Sequence, residues 1–144
     1  MKHAETIRKI YDDFAAGDAA AILAVFADDV EFRLAEGHPY RGSGGAWVGK
    51  DAIAKKFFAV AGPEWEGWSI GVVATIEAAD SVVVEGRYTG RYKPTGRPMD
   101  VQVCHVWRFR GNEVASFHQY VDTARLQHVM GRDGTRPPTH GGPT

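Results

Sequence analysis

Cysteine is almost absent from the chain: Cys104 stands alone among 144 residues, so no intramolecular disulfide can staple the fold. A lone thiol leans towards a reducing, cytoplasmic setting. There is no excess of either charge, with 17 Lys and Arg against 18 Asp and Glu scattered without a basic stripe, and this argues against nucleic acid as a partner. No apolar run approaches the length of a membrane span, and the opening Met1-Lys2-His3-Ala4-Glu5 lacks a signal-type core. Neither an internal repeat nor a change of composition marks a second domain. The expectation is one soluble cytoplasmic domain over residues 1–131, without membrane or nucleic-acid partners. The Gly- and Pro-rich residues 132–144 read as a disordered tail.

What is present divides into helices followed by strands. Ile7, Ile10, Tyr11 and Phe14 recur at helical spacing, Gly17 offers a C-terminal cap, and Asp18 can cap a short second helix carrying Ile22, Leu23 and Phe26. Val30 to Leu34 is a short strand, and the glycine-rich stretch 37–49 reads as an irregular covering loop. Asp51 can cap a third helix in which Ile53, Phe57 and Val60 or Ala61 share a face, with Gly62-Pro63 as its stop. Runs rich in β-branched and aromatic residues follow at Trp68 to Ile76, Val82 to Tyr92, Met99 to Phe109 and Val114 to Val121, separated by turn residues. They predict an antiparallel meander, closed by a short helix from Thr123 to Met130 capped by Asp122 or Thr123. The class is α+β, and a sheet curved round three helices leaves a cavity at its mouth.

One residue stands out. His105 lies in the strand Val101-Gln102-Val103-Cys104-His105-Val106-Trp107-Arg108-Phe109, and the period-2 pattern puts it on the apolar face with Val101, Val103, Trp107 and Phe109. A buried imidazole must be hydrogen-bonded, so it is either a satisfied structural histidine or a polar group aimed at a ligand.

The order of elements, the stretch Gly17-Asp18 through Phe26-Ala27-Asp28-Asp29-Val30-Glu31-Phe32, the helix start Gly49-Lys50-Asp51-Ala52-Ile53 and the hairpin from His105-Val106-Trp107-Arg108-Phe109 to Phe117-His118-Gln119-Tyr120-Val121-Asp122 carry a likeness. Over about residues 5 to 130 the chain resembles the nuclear transport factor 2-like superfamily, the cone-shaped α+β barrel of ketosteroid isomerases, SnoaL-like polyketide cyclases and limonene-epoxide hydrolases. The resemblance implies that fold, but the fold alone does not fix chemistry. In the isomerases an aspartate base would fall at or near Phe32, which accepts no proton. Their oxyanion-stabilising acid would fall at His105, which can donate a hydrogen bond when neutral, and their oxyanion tyrosine near Ile10 and Tyr11. In the cyclases a His and an Asp on the last two long strands correspond to His105 and Gln119. Gln119 orients a substrate or donates to an oxyanion but shuttles no proton. The epoxide hydrolases' Arg-x-Asp pair would fall at Gly86-Arg87-Tyr88 and their second aspartate at Gln119, so that mechanism is lost.

The last hairpin leaves two registers open. With Gly111-Asn112 as a two-residue loop, His105 lies opposite His118, a pair that suggests a metal but lacks a third ligand unless Asp122 bends in. A three-residue loop instead pairs His105 with Phe117 and sends His118, Tyr120 and Asp122 to the other face. The second is preferred because Phe117 and Val121 then join the apolar side, and no metal or other cofactor is expected. His38 reads as a solvated or capping loop residue, and Asp28 and Asp29 as turn carboxylates. Phe14, Phe32, Trp47, Phe57, Tyr88, Trp107 and Phe117 are the candidate ligand-binding residues, while Trp65 and Trp68 are assigned to the rim or an interface. Tyr88 lies between Gly86 and Gly90, which either leave room for a ligand or mark a bend in the sheet.

These readings converge on an apolar pocket for a small, largely hydrophobic carbonyl or hydroxyl compound. The expected chemistry is that of an isomerase, cyclase or lyase in which His105 polarises a carbonyl or enolate oxygen, assisted by Gln119 or Tyr11. The competing expectation is a noncatalytic ligand-binding or protein-interaction domain. The resemblance further implies a homodimer through the outer sheet face carrying Gln102, Val106, His118 and Tyr120.

Overall fold

The computed structural model describes residues 2–132, so the expected tail at 132–144 lies outside the described residues except for Arg132. Helix α1 (His3–Ala15) buries Ile7 and Ile10, and Gly17 follows its end with φ 75°, a left-handed conformation that favours glycine. The Asp18 side chain accepts the Ala21 N–H at 3.0 Å and starts α2 (Ala19–Ala24). The second helix is shorter than its apolar spacing suggests. Phe26 opens strand β1 (Phe26–Arg33) instead, because it pairs with Val114 and the Val25 carbonyl accepts the Val114 N–H. A long-range backbone ladder has overridden helical spacing at this residue.

The 37–49 stretch is less irregular than expected. Trp47–Val48 forms a two-residue strand, β2, antiparallel to β1. Helix α3 (Lys50–Ile53) has Gly49 rather than Asp51 at its cap, with the Gly49 N–H tied to the Val30 carbonyl, and Asp51 sits in the first turn. The helix widens into a π-helical stretch at Ala54–Phe58 before α4 (Ala59–Ala61) and a 3₁₀ turn (Gly62–Glu64). Ile53, Phe57 and Ala61 are its buried face, whereas Val60 is exposed. The wider turn keeps residues four apart on one line.

Strands β3 (Trp65–Glu77), β4 (Ser81–Tyr92), β5 (Arg97–Arg110) and β6 (Glu113–Val121) follow, then α5 (Thr123–Val129), capped by the Asp122 side chain. The six strands run in the order β2-β1-β6-β5-β4-β3, antiparallel except for β1 against β6. Helices on one face of this open sheet give the α+β architecture, with the core between the two layers. Gly86 and Gly90 belong to the bend reading: a Cβ on Gly86 would stand 2.7 Å from the Gly71 carbonyl oxygen, and one on Gly90 about 3.1 Å from the Trp68 backbone, beside irregularities in β3.

The last hairpin follows neither expected register throughout. Gly111-Asn112 is the two-residue loop, with Arg110 opposite Glu113, but Val114 faces Phe109 and Ser116 faces Arg108, leaving Ala115 as the extra residue of a β-bulge. Beyond the bulge His105 faces Gln119, not Phe117 or His118, and Phe117 faces Trp107. Phe117 and Gln119 are buried, whereas Tyr120 stands half out in solvent on the opposite face. Among the described residues no three His, Cys, Asp or Glu are grouped to hold a metal ion. No helix among them is long and apolar enough to cross a membrane.

Candidate functional site

The inward alternation of β5 places Val101, Val103, His105, Trp107 and Phe109 in the core, and His105 is only 3% exposed. Both of its ring nitrogens meet a tyrosine. Tyr11, from α1, lies 2.8 Å from Nδ1, and Tyr88, from β4, lies 2.6 Å from Nε2. The network continues at each end: the Trp107 indole N–H donates to the Tyr11 hydroxyl at 2.9 Å, and the Gln119 amide N–H donates to the Tyr88 hydroxyl at 3.0 Å. The Gln119 carbonyl in turn accepts the Ala35 backbone N–H at 3.4 Å. Phe117 and Trp107 meet the imidazole edge-on and close it off. Burial pushes the His105 imidazole down to about 3 and pushes the Tyr11 and Tyr88 hydroxyls up, so all three are neutral across the physiological range.

Neutrality fixes the proton count. An uncharged imidazole donates from one nitrogen and accepts at the other, so one tyrosine donates to the ring and the other accepts from it. The accepting tyrosine already receives an N–H from Trp107 or Gln119. Its own O–H proton therefore has no acceptor within the network. His105 itself presents no free nitrogen to a ligand, because both are engaged by tyrosine hydroxyls.

Both tyrosines line a cavity of about 50 Å³, whose wall holds Tyr11, Phe14, Phe32, Phe57, Tyr88, His105, Trp107, Phe117 and Gln119 among the expected residues. Trp47 is the exception: its ring covers Gly42 and its indole N–H donates to the Tyr40 carbonyl, because β2 pairs at the far edge of β1. The lining also includes Ile10, Ile22, Phe26, Leu34, Phe58, Trp68 and Ile70, and among the described residues it contains no charged side chain. Phe58 could be found from sequence only by anticipating the π-helical stretch, which brings it and its neighbour Phe57 to one cavity. Trp68, assigned to the rim, lines this cavity and also a second, outer one of about 290 Å³. Phe14, Ile22, Phe57, Phe58 and Trp68 are the partition between the two, and Trp65 lines only the outer chamber.

The 37–49 loop is tied down beside this site. Tyr40 donates its hydroxyl proton to Glu64 and accepts the Trp65 indole N–H at 3.0 Å, which fastens the loop to the start of β3. His38 is buried, not solvated: its Nδ1 accepts the Tyr40 backbone N–H at 3.1 Å, and burial holds its imidazole down to about 3. Asp29 pairs with Arg110 and Asp28 lies near Lys50, both in solvent. His118 stacks on Tyr120, which bonds its Nδ1, on the outer face away from the cavity.

A model of the SnoaL-like domain family matches residues 7–117. Among solved structures, the chain is similar to an NTF2-like protein from Burkholderia thailandensis E264, at 30% identity and a TM-score of 0.81, over 90% of this chain and 98% of that one. It is similar at 26% identity and a TM-score of 0.79, over the same shares, to TerC, crystallised with polyporic acid. A protein from Jannaschia sp. CCS1, provisionally assigned as a SnoaL-like polyketide cyclase, shares the fold at 19% identity and a TM-score of 0.74, over 94% of this chain and 93% of that one. No curated protein matches the chain.

Proposed function

Because the chain belongs to the SnoaL-like domain family, we propose that its cavity binds a small, largely apolar carbonyl compound and that the protein is an enzyme of the isomerase, cyclase or lyase type. One observation carries this reading: a tyrosine whose hydroxyl proton has no acceptor in its own network lines an otherwise apolar, uncharged cavity. A ligand oxygen that takes this proton gains a donor oriented before the ligand arrives and held away from bulk water. Negative charge developing on a carbonyl oxygen is stabilised there, with His105 fixing the tyrosine and Gln119 or Trp107 bracing it. TerC's crystallisation with polyporic acid supports a small organic ligand for this cavity.

The inner cavity has room for about three waters. A ring-sized ligand enters from the outer chamber by parting Phe14, Phe57, Phe58 and Trp68. The π-helical stretch suits that role, since such widened turns recur at functional sites. The matched pair 2-tetralone and tetralin tests the reading, because they differ at one carbonyl. The ketone binds about threefold to tenfold more tightly, the worth of one hydrogen bond. Equal affinities measured by titration calorimetry overturn it. The uncharged lining favours a second reading, binding without turnover.

Two copies pair, in this account, through the outer sheet face, where Tyr120, Val73 and Ile76 are exposed. Sedimentation shows a dimer at micromolar concentration if this holds and a monomer if it does not.

A further inference from the structure

The titratable groups lining the inner cavity are Tyr11, His105 and Tyr88, and they are bonded in series. Among the described residues no carboxylate, lysine or arginine borders it, so an ionised base or a separated ion pair has no partner there. The series has a further property. Its middle member can hold its proton at either end, and each choice frees the hydroxyl of a different tyrosine. We propose that Tyr11, His105 and Tyr88 form a charge-neutral proton relay that tautomerises an enolisable ketone held between the two hydroxyls. This rests on the carbonyl-ligand reading given above.

In one arrangement His105 Nε2–H donates to Tyr88, Tyr11 donates to Nδ1, and the Tyr88 proton points at the ketone oxygen. Tyr88 then gives that proton to the oxygen and takes the Nε2 proton in its place. Tyr11 gives its proton to Nδ1 and takes one from the α-carbon of the ketone. The C–H electron pair becomes the C=C bond, and the π pair of the carbonyl becomes the new O–H bond. Four protons move, no charge is left anywhere, and ketone becomes enol. His105 ends with its proton on Nδ1, directed at Tyr11, while Tyr88 now donates to Nε2. The reverse step restores both ketone and relay. Between the two, the enol leaves, the water that refills the cavity exchanges with the freed Tyr11 hydroxyl, and a returning enol takes a solvent proton from it.

The relay differs from simple polarisation in what it asks of His105. A fixed hydrogen-bond brace suffices to hold a donor, but only a group that accepts at one end while releasing at the other completes the transfer. Glutamine separates these roles, since its amide donates at nitrogen and accepts at oxygen but cannot pass a proton between them.

The experiment follows exchange of the C1 protons of 2-tetralone in D₂O by NMR, alongside its binding, for the wild type, His105→Gln and Tyr11→Phe. The wild type catalyses exchange. His105→Gln keeps its affinity for 2-tetralone within threefold and loses exchange at least about 100-fold, the usual scale of a removed acid–base group. Tyr11→Phe, which leaves Tyr88 to hold the carbonyl, loses exchange to the same extent and carries the test if the glutamine variant does not fold. The wild-type rate is flat from pH 6 to 9. The groups facing His105 are Tyr11 from α1, Tyr88 from β4 and the uncharged Phe117 and Gln119 from β6, and no charged lining group titrates in that range. Wild-type rates in His105→Gln overturn the relay, as does a wild type that binds 2-tetralone without exchanging it, and either result leaves the binding reading standing. A wild type that does not bind 2-tetralone overturns both.

Discussion

His105 and His38 are the same residue, buried to nearly the same degree, and burial lowers both imidazoles to about 3. Their partners separate them. His105 has a tyrosine hydroxyl on each nitrogen, groups that can reverse the direction of their hydrogen bonds. His38 has a backbone N–H on Nδ1, which only donates, so its proton is confined to Nε2, a buried atom with no partner among the described residues. One histidine can hold its proton at either end without loss of contacts, and the other cannot. Burial and a lowered proton affinity are common to both, so neither separates the two histidines; the reversibility of the contacts does.

The largest consequence concerns stability. His105→Ala opens a hole and strips two buried hydroxyls of a partner, and the fold loses about 3–5 kcal/mol. His38→Ala opens a similar hole but leaves only one backbone N–H unpaired and removes an N–H that had no partner among the described residues, so its loss is smaller by about 1–2 kcal/mol. Urea unfolding of the two variants checks the ranking, and equal losses erase the distinction. In acid the two histidines behave alike. An unfolded histidine binds a proton below about pH 6.5, which the buried ones refuse until about pH 3. Their contribution is therefore fully present above pH 6.5 and falls as the pH drops towards 3, by about 1.4 kcal/mol per pH unit for each. His105→Gln and His38→Gln each remove one such increment from the slope of unfolding free energy against pH. A variant slope equal to that of the wild type contradicts the neutral burial of that residue.

Local chemistry made much of the fold legible. The Asp18 and Asp122 caps and the glycine after α1 each act within a few residues, and both aspartates and the glycine do what their types suggest. Alternation along β5 set His105 facing inward, and the family resemblance brought Tyr11 and Gln119 to it from α1 and β6. Long-range geometry was hidden. Phe26 joined β1 because β6 lies beside it, and one extra residue at Ala115 put Gln119 opposite His105. Trp47 left the cavity through a pairing at the edge of β1, and Phe58 entered it through a widened helical turn that no period announces. The two tyrosines on one imidazole lie 77 residues apart in the chain, and only the fold brings them together.

The carbonyl stretch of ¹³C-labelled 2-tetralone bound in the cavity tests the central claim most directly, because it reports whether a donor points at the oxygen. With a donor in place the band lies at lower frequency than in hexane, and the shift is lost when both Tyr11 and Tyr88 are changed to Phe. A bound ketone that absorbs where it does in hexane contradicts the free hydroxyl on which the account rests.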